Sequence, residues 1–407
     1  MTEQIKIEIT PDVFWIGVLD KEIVTFDVVM ETEHGTTYNS YFINAQKKTI
    51  IDTSKERFWE TYLEKIKSVV DPAEIEYIIV NHTEPDHSGN LRNLLNIAPK
   101  ATVIGSGNAI RYLKDLIGAD FPHQIVKDGQ TLDLGNKTLR FIGAPNLHWP
   151  DTMYTYLEQD CLLFSCDSFG AHFAREAMWD DEVENFDESF KYYFDVILKP
   201  FSKFMLKAIE KIKPLRIKAI LPGHGPMLRK YWQKYVQLSE EYSKEFLSLP
   251  ARKYVFIPYV SAYHKTELIA EAIAQGICES GQVDAVLLDV EKTSLGELDM
   301  QMEKASGIIV GSPTINQNIL LPIYKLFAII NPLRDKGKLA GAFGSYGWSG
   351  EGSKLIEGNL RNLKLDFHAV GLFYKFTPNE MELEQCRSYG RDFAIKIIET
   401  QSGLSNN

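Results

Sequence analysis

The sequence predicts an α/β protein with two domains. Its 407 residues exceed the size of one ordinary hydrophobic core. In the N-terminal part, a strand followed by a polar loop with histidine or aspartate recurs four times, which indicates a sandwich that collects side chains at one rim. In the C-terminal part, strands and helices alternate strictly, which indicates a doubly wound parallel sheet.

Composition excludes several classes of protein. The chain is 44% hydrophobic and 24% charged, which is typical of folded globular proteins and not of disordered ones. Its net charge of −11, with no basic block to offset it, argues against nucleic-acid binding. We find no signal-peptide pattern and no apolar run long enough for a bilayer, so we expect a cytoplasmic protein without a membrane partner.

The four cysteines are scattered along the chain and form no Cys-x-x-Cys pair. This spacing excludes a zinc ribbon or a rubredoxin-type iron site within the chain and is typical of reduced thiols. Cys161 and Cys166 are predicted to lie on one strand, where their odd separation points them to opposite faces. We therefore expect no disulfide between them.

The N-terminal domain is predicted to cover residues 1–250. Alternating aromatic and β-branched residues favour short strands, and asparagine, glycine and proline mark the breaks between elements. The predicted strands are 13–19, 37–43, 48–52, 77–80, 102–104, 137–145, 161–167 and 217–221, and the predicted helices are 57–70, 88–97, 108–117, 188–213 and 228–249.

The second domain is predicted to cover residues 251–407, after a boundary near Pro250. Its apolar runs read as buried strands, and the segments between them have helical periodicity. The predicted strands are 254–260, 283–290, 307–311, 338–343 and 367–372, and the predicted helices are 266–280, 298–304, 319–331, 351–362 and 380–400. The polar tail from Gln401 onward is predicted to fray.

The strand 77–80 runs into a loop dense in metal-binding side chains. Within six residues stand His82, Glu84, Asp86 and His87. Proline 85 stiffens this loop, and a helix is predicted to begin at residue 88 with Asn90 as a possible capping residue. Such clustering at a strand end is uncommon by accident and predicts a metal site.

Three other strand ends carry further candidate ligands. These are His148, Asp167 and His224. Together with the loop after residue 80 they make four imidazoles and three carboxylates, more than one tetrahedral metal can use, and they suit two metals that share a carboxylate. Nitrogen and oxygen ligands without thiolates are compatible with iron, manganese or zinc.

The first strand-to-helix turn of the second domain is a candidate phosphate site. Backbone N–H groups and hydroxyls at a helix N-terminus bind phosphate. The turn resembles the flavodoxin loop that holds the phosphate of FMN, although the glycine that usually follows the aromatic residue is absent. The resemblance implies these contacts: Ser261, Tyr263, His264, Lys265 and Thr266.

Two more loops follow strands of the same predicted sheet. Ligands bind at the carboxyl ends of strands in such sheets, and aromatic side chains there can pack near an isoalloxazine ring. Both loops resemble the flavin-contacting loops of flavodoxin-like domains. The candidate residues are Pro313, Thr314, Asn316, Ser345, Tyr346, Gly347 and Trp348.

The metal pattern as a whole resembles the metallo-β-lactamase-like αββα domain of the flavodiiron proteins, and the flavodoxin-like domain follows it in the same order. Glu84 stands where the wider lactamase superfamily usually has a second histidine, which marks the redox branch. The resemblance implies that His82, Glu84 and His148 hold one iron and that Asp167 bridges to the other. The second iron would be held by Asp86, His87 and His224.

The same resemblance implies how such a protein works. Electrons would pass from a donor such as rubredoxin, or from a reduced deazaflavin, through FMN to the di-iron site, where O2 is reduced to water or NO to N2O. Trp149, His172 and Tyr193 are candidate pocket residues, and packing roles for His172 and Tyr193 remain alternatives. Since each site is expected on the rim of its own domain, the resemblance implies a head-to-tail homodimer, or a tetramer.

Two other functions stay open from the sequence. One is a di-zinc hydrolase of the lactamase type with an accessory flavodoxin domain, against which Glu84 argues. The other is a non-catalytic FMN electron carrier or redox sensor, against which the complete ligand set argues. No rubredoxin or flavin-reductase module is recognised, so we expect the two-domain form, and the choice between O2 and NO is open.

Overall fold

A computed structural model describes residues 6–26, 30–248 and 252–402 of the chain. The chain divides into two compact units, residues 1–248 and residues 249–407. The domain boundary predicted near Pro250 lies outside the described residues, as do residues 403–407 of the predicted frayed tail. No helix among the described residues is long and apolar enough to cross a membrane.

Unit 1 consists of short strands and seven α-helices among its described residues. The strands are β1 (Ile7–Thr10), β2 (Val13–Trp15), β3 (Val18–Asp20), β4 (Thr25–Phe26), β5 (Met30–Glu31), β6 (Thr36–Tyr38), β7 (Tyr41–Ile43), β8 (Lys48–Ile51), β9 (Ile75–Ile79), β10 (Thr102–Gly105), β11 (His123–Ile125), β12 (Thr131–Asp133), β13 (Thr138–Gly143), β14 (Met153–Leu157), β15 (Leu162–Cys166) and β16 (Ala219–Pro222). The helices are α1 (Trp59–Lys67), α2 (Pro85–Ser88), α3 (Leu91–Ile97), α4 (Gly107–Ile117), α5 (Asp187–Tyr193), α6 (Ser202–Ile212) and α7 (Trp232–Leu247).

Two sheets form the centre of unit 1. One has seven strands in the order β1-β2-β7-β8-β9-β10-β11, and the other has five in the order β12-β13-β14-β15-β16. Their facing side chains make one buried cluster, in which Ile51 and Ile79 from the first sheet pack with Phe141 and Leu221 from the second. The alternating patterns read from the sequence thus become two inner faces of a sandwich.

Helices cover both outer faces of this sandwich. On the seven-stranded sheet, α1, α3 and α4 bury residues such as Ile66, Leu94 and Leu113 against the strands. On the five-stranded sheet, α5 to α7 bury residues such as Phe190 and Ile209. The four layers confirm the predicted αββα sandwich.

The structure corrects the local prediction around the first metal motif. The predicted loop before residue 88 is instead a single helical turn, α2, so Asp86 and His87 lie on a helix. Asn90 makes no side-chain cap for α3, because its Oδ1 accepts from the side-chain amide of Asn93 instead of a backbone N–H, while its Nδ2 donates to Ser54 O and Lys55 O. The predicted helix 188–213 is also interrupted, by a π-helical segment at Phe194–Leu198 and a 3₁₀ turn at Lys199–Phe201 that contains proline 200.

Unit 2 alternates strands and helices as predicted. The strands are β17 (Lys253–Tyr259), β18 (Val283–Asp289), β19 (Gly307–Gly311), β20 (Leu339–Tyr346), β21 (Asp366–Phe367) and β22 (Leu372–Lys375). The helices are α8 (Lys265–Cys278), α9 (Leu295–Lys304), α10 (Leu321–Ile329), α11 (Gly352–Asn362) and α12 (Glu380–Ser402).

The sheet of unit 2 is parallel and doubly wound. Its order is β18-β17-β19-β20-β21, with β22 pairing with β20 beside β21. Separate apolar clusters cover its two faces, one around Ile308 and Leu326 and the other around Ile273 and Phe393. The strand predicted at 367–372 is two short strands, β21 and β22, both paired with β20. The strand order reverses direction between β17 and β19, and ligands bind at this kind of switch point.

Candidate metal centre and flavin site

The ends of β9, β15 and β16 bring candidate ligands to one rim of the sandwich. His82 and α2 follow β9, Asp167 follows β15, and His224 follows β16. Because β15 and β16 are parallel neighbours, their carboxyl ends lie side by side. His148 joins them from the connection between β13 and β14. The structure therefore brings all seven sequence-predicted ligands to one place.

The seven side chains form two groups. The first contains His82, Glu84, His148 and Asp167, whose candidate ligand atoms all lie within 4.8 Å of one another. Glu84 Oε2 lies 3.2 Å from His82 Nε2 and 3.0 Å from His148 Nε2. Asp167 Oδ2 lies 3.5 Å from each of these two imidazole nitrogens. Four donors that converge in this way can surround one cation.

The second group contains Asp86, His87 and His224. Asp86 Oδ2 lies 3.2 Å from His224 Nε2 and 3.5 Å from His87 Nε2. Asp167 reaches this group through its other oxygen, because its Oδ1 lies 2.9 Å from His87 Nε2 and 3.5 Å from His224 Nε2. One carboxylate thus directs one oxygen to each group, as a carboxylate that bridges two metals does.

Buried polar atoms without partners show that this site is built for cations. Both carboxylate oxygens of Asp86, both ring nitrogens of His87 and Oδ2 of Asp167 are buried, and despite the short distances between them none makes a hydrogen bond of normal geometry among the described residues. Leaving such groups unsatisfied is costly, and native proteins rarely do so without a ligand. The nitrogen and oxygen donors fit iron, and the metal-binding residues would be those of the two groups.

Residues outside the two groups orient the imidazoles. Asp151 Oδ2 lies 3.3 Å from His82 Nδ1 and also accepts hydrogen bonds from the N–H and hydroxyl of Thr83, at 2.8 and 2.9 Å. His224 Nδ1 lies 2.6 Å from the carbonyl oxygen of Thr37. These contacts occupy Nδ1 and leave Nε2 of each ring directed at the candidate metal site. In metal-binding histidines, a hydrogen bond to the other ring nitrogen fixes the orientation of the ring in this way.

Close packing also requires a glycine beside His87. A β-carbon at Gly223 would lie 2.7 Å from Cε1 of the His87 ring. Any larger residue would therefore displace the imidazole. This explains why glycine precedes His224 in the sequence.

The charges of the side chains around the site favour the binding of cations. Although burial lowers the pKa of His87, Asp86 and Asp167 raise it to about 9. Burial alone would raise the pKa of Asp167, but His87, His82 and His148 hold it well below its usual range. The carboxylates thus stay ionised and attract cations.

The three predicted pocket residues lie around the same site. The Tyr193 hydroxyl donates a hydrogen bond to Asp167 Oδ1 at 3.3 Å, and burial raises its pKa well above the usual value, so it keeps its proton. The His172 ring lies 5.5 Å from that of His224, and its Nε2 is buried without a partner among the described residues. The Trp149 ring lies 5.2 Å from that of His82.

Sequence reasoning missed three residues here. Asp151 carried a signal, since it closes the His-Trp-Pro-Asp motif, but its supporting role depends on a fold that places it beside His82. Asn81 received no attention, although it accepts a hydrogen bond from Thr155 and donates its own N–H to Asp52 Oδ1. The third is Cys166, whose thiol lies within 4.8 Å of ligand atoms of His87 and Asp167.

Unit 2 has a cavity of about 380 Å³ at the carboxyl ends of β17, β19 and β20. Most of the flavin contacts expected from the sequence line it, whereas Ser261, His264 and Asn316 do not. The wall also contains four residues that were not expected. The lining is Ala262, Tyr263, Lys265, Thr266, Pro313, Thr314, Ile315, Ser345, Tyr346, Gly347, Trp348, Phe376 and Thr377.

Phe376 is the most informative of the unexpected lining residues. It follows β22, its φ is +59°, and its ring packs against Gly347. Like Tyr263 and Trp348 it is largely exposed, so three aromatic rings border an open and mainly apolar mouth. No signal in the sequence marked Phe376, because only the pairing of β22 with β20 brings it there.

One end of this cavity can hold a phosphate. The backbone N–H groups of residues 262–266 have no hydrogen-bond acceptor among the described residues. Lys265 contributes a positive charge, and the Thr266 and Ser345 hydroxyls lie 2.9 Å apart and join two of the loops. A row of free N–H groups at a helix N-terminus fits the phosphate of FMN, and the aromatic mouth fits its ring.

The comparisons agree with this geometry. The family described as "ODP family beta lactamase" matches residues 36–225, and the flavodoxin family matches residues 257–390. The chain is 39% identical over 403 residues to the flavo-diiron protein FprA2 of Clostridium acetobutylicum, covering 96% of this chain and 99% of that protein. It is 33% identical to a nitric oxide reductase of Moorella thermoacetica, covering 97% and 99%.

A solved structure extends the similarity to the whole fold. The rubredoxin oxygen:oxidoreductase of Desulfovibrio gigas matches with a TM-score of 0.74 and 28% identity, covering 97% of this chain and 99% of that one. Each of these matches covers at least 96% of this chain and 99% of the other protein. The chain therefore belongs to the flavodiiron protein family.

Proposed function

We propose that the protein is an oxidoreductase that passes electrons from a protein donor through FMN to a di-iron site, where O2 is reduced to water or NO to N2O. The proposal rests on the position of Asp167, whose two oxygens face two separate groups of nitrogen and oxygen donors. The supporting relatives are named a nitric oxide reductase and a rubredoxin oxygen:oxidoreductase.

The proposed ligands of one iron are His82, Glu84 and His148, and Asp167 is the proposed bridge. The proposed ligands of the other iron are Asp86, His87 and His224. When bound, the iron pair supplies reducible metal that can bind a small oxidant, and FMN supplies a carrier that accepts and releases single electrons.

The protein contributes orientation, protons and exclusion of water. Asp151 and the Thr37 carbonyl keep Nε2 of His82 and His224 directed at the metals. Tyr193 holds a proton on its hydroxyl, 3.3 Å from Asp167 Oδ1. The buried rings around the site, including His172, restrict it to small molecules.

Neither alternative from the sequence is favoured. For a di-zinc hydrolase we would expect hydrolases among the proteins that match the whole chain, whereas two of the proteins that do so are named as oxidoreductases. A non-catalytic carrier would not need the complete donor set at Asp167.

The test is anaerobic stopped-flow with the reduced, iron-loaded protein, mixed with O2 and with NO in separate experiments. We expect flavin reoxidation with at least one oxidant, and its relative rates identify the preferred substrate. Metal analysis accompanies the kinetics. Two zinc ions and no iron per chain, or no reoxidation by either oxidant, would contradict the proposal.

We also propose rubredoxin as the donor and a head-to-tail homodimer, or a tetramer built from it, as the assembly. Support for the donor comes from the name of the Desulfovibrio gigas protein. A mixing experiment tests the assembly: His224→Ala disables the proposed metal site of one chain, and Trp348→Ala disables the proposed flavin site of the other. Activity that returns only after subunit exchange supports transfer between chains, and a fully active wild-type monomer would refute it.

Two further assignments belong to this proposal. We assign the di-iron domain to residues 1–250 and the FMN domain to residues 251–407, which agrees closely with the two compact units. We also propose that the enzyme works in the cytoplasm, since its four cysteines are free thiols, as is usual in a reducing compartment.

A further inference from the structure

The proposed phosphate loop of unit 2, residues 261–266, contains one residue in a backbone conformation that favours glycine. His264 stands directly before α8, with φ +58° and ψ +8°. This left-handed conformation is free of cost for glycine and unfavourable for other residues. The His264 side chain is also exposed, so burial of its ring does not hold it there.

Contacts to Glu267 compensate the strain. Nδ1 of His264 lies 2.6 Å from Oε2 of Glu267, one turn into the helix. The other carboxylate oxygen of Glu267 accepts a hydrogen bond from the Tyr259 hydroxyl at 3.0 Å, at the end of β17. The Glu267 N–H donates to Ser261 Oγ at 3.3 Å. One glutamate therefore ties together the strand end, the loop and the helix.

This arrangement has an electrostatic cost. Glu267 puts a carboxylate in the first turn of the same helix whose N-terminal N–H groups face the proposed phosphate. A free carboxylate there competes with a bound anion and repels it. Hydrogen bonds on both of its oxygens, from His264 and Tyr259, direct this carboxylate to the loop.

We propose that His264, Glu267 and Tyr259 form a clamp that holds the left-handed turn at His264 and positions the N–H groups of residues 262–266 for the FMN phosphate. The clamp residues are positioning residues, since Glu267 acts through the conformation of the loop. The inference rests on the proposed FMN site and goes beyond it by assigning a role to residues that do not line the cavity.

The test is a double-mutant cycle on the full-length apoprotein, with FMN affinity measured by the quenching of flavin fluorescence. Glu267→Ala should weaken FMN binding about tenfold, since the left-handed turn loses its support. Glu267→Gln keeps one carbonyl oxygen that accepts from Tyr259 and places an amide N–H opposite Nδ1 of His264, which accepts a hydrogen bond when the ring is neutral. This variant should stay within about threefold of the wild type. His264→Gly removes the strain itself, so Glu267→Ala added to it should change the affinity less than about twofold.

Direct repulsion between Glu267 and the phosphate predicts the opposite change in FMN affinity. If Glu267 acted only as a negative charge near the phosphate, Glu267→Ala would bind FMN more tightly, which would overturn the clamp. An equal loss from Glu267→Ala in the wild-type and His264→Gly backgrounds would overturn it as well.

Riboflavin, which lacks the phosphate, distinguishes an effect on phosphate binding from an effect on binding of the flavin ring. Its affinity should be unchanged in Glu267→Ala and reduced in Phe376→Ala, which changes the cavity wall. Unchanged riboflavin binding also shows that the Glu267 variant is folded. If the wild-type apoprotein binds neither flavin, the proposed FMN site is wrong. If the wild-type protein and Glu267→Ala bind FMN with the same affinity, the FMN site stands and only the proposed clamp is wrong.

Discussion

At the scale of single residues, the candidate metal centre is held together by side chains that each contact two other groups. Asp167 directs one oxygen to each group of donors, and Asp151 joins the His82 ring to the turn at Thr83. Loss of such a residue therefore affects more than one contact. The effects of replacing Asp151 and Glu84 can be predicted from this arrangement of paired contacts.

Asp151→Asn should weaken iron binding about 10- to 100-fold, because the variant loses the charge that orients His82 and raises its basicity. The measurement is competition with a calibrated chelator. Asp120→Asn is the matched control, since Asp120 is an exposed residue paired with Lys114 on the surface. Equal iron affinity in both variants would mean that Asp151 does not orient the site.

Glu84→His should shift the metal preference towards zinc, with an iron-to-zinc ratio about tenfold lower, because an anionic oxygen donor is replaced by a neutral imidazole. Elemental analysis of protein grown with both metals measures the ratio. Glu84→Asp, which keeps the carboxylate, should retain more iron than the histidine variant. If iron content and oxidant turnover stay at the wild-type level in Glu84→His, the proposed redox role of Glu84 is wrong.

At the scale of elements, the contact between α8 and α12 shows how unit 2 holds its first helix in place. A β-carbon at Gly276 would lie 1.9 Å from the Arg387 carbonyl oxygen, and one at Gly390 would lie 2.1 Å from the Ile273 carbonyl oxygen. Two glycines therefore let the helix backbones touch. Since α8 also begins at the phosphate loop, this packing positions the flavin site.

Gly276→Ala should destabilise unit 2 by about 1–3 kcal/mol, because the added methyl group pushes α12 away from α8. Gly358→Ala is a matched control, since Gly358 lies within α11 and a β-carbon added there would meet no described atom within 4 Å. That change should stabilise the protein by about 0.5–1 kcal/mol. Denaturant unfolding followed by flavin fluorescence measures both, and equal effects would contradict the close helix contact.

At the scale of the whole molecule, each unit has its own cores and its own candidate cofactor site. Ligands stabilise the part of a protein that binds them, by about 2.7 kcal/mol at a concentration 100 times the Kd. The two cofactors should therefore stabilise different unfolding transitions.

Calorimetry of the full-length protein should give two transitions. Adding FMN to the apoprotein should raise the temperature of one transition, and removing iron should lower the temperature of the other. Trp348→Ala should abolish the first effect and leave the second. A single transition that moves with both cofactors would mean that the units unfold together.

The sequence by itself determined the two-domain order, the fold class of each domain and the candidate metal ligands, while the candidate FMN contacts followed from the resemblance of three loops to flavodoxin loops. The first three features depend on local patterns: a strand end dense in histidine and carboxylates, and strict alternation of strand and helix. Such patterns are visible in a chain because residues close in sequence produce them.

Only the tertiary structure decided which atoms meet. It directed one oxygen of Asp167 to each of the two ligand groups that the resemblance had implied, placed Asp151 behind His82, and brought Phe376 to the cavity through a parallel strand pair. It also put His264 in the conformation expected of glycine. These outcomes depend on contacts between residues far apart in the chain, since the free energy of packing and hydrogen bonding, rather than local preference, selects them.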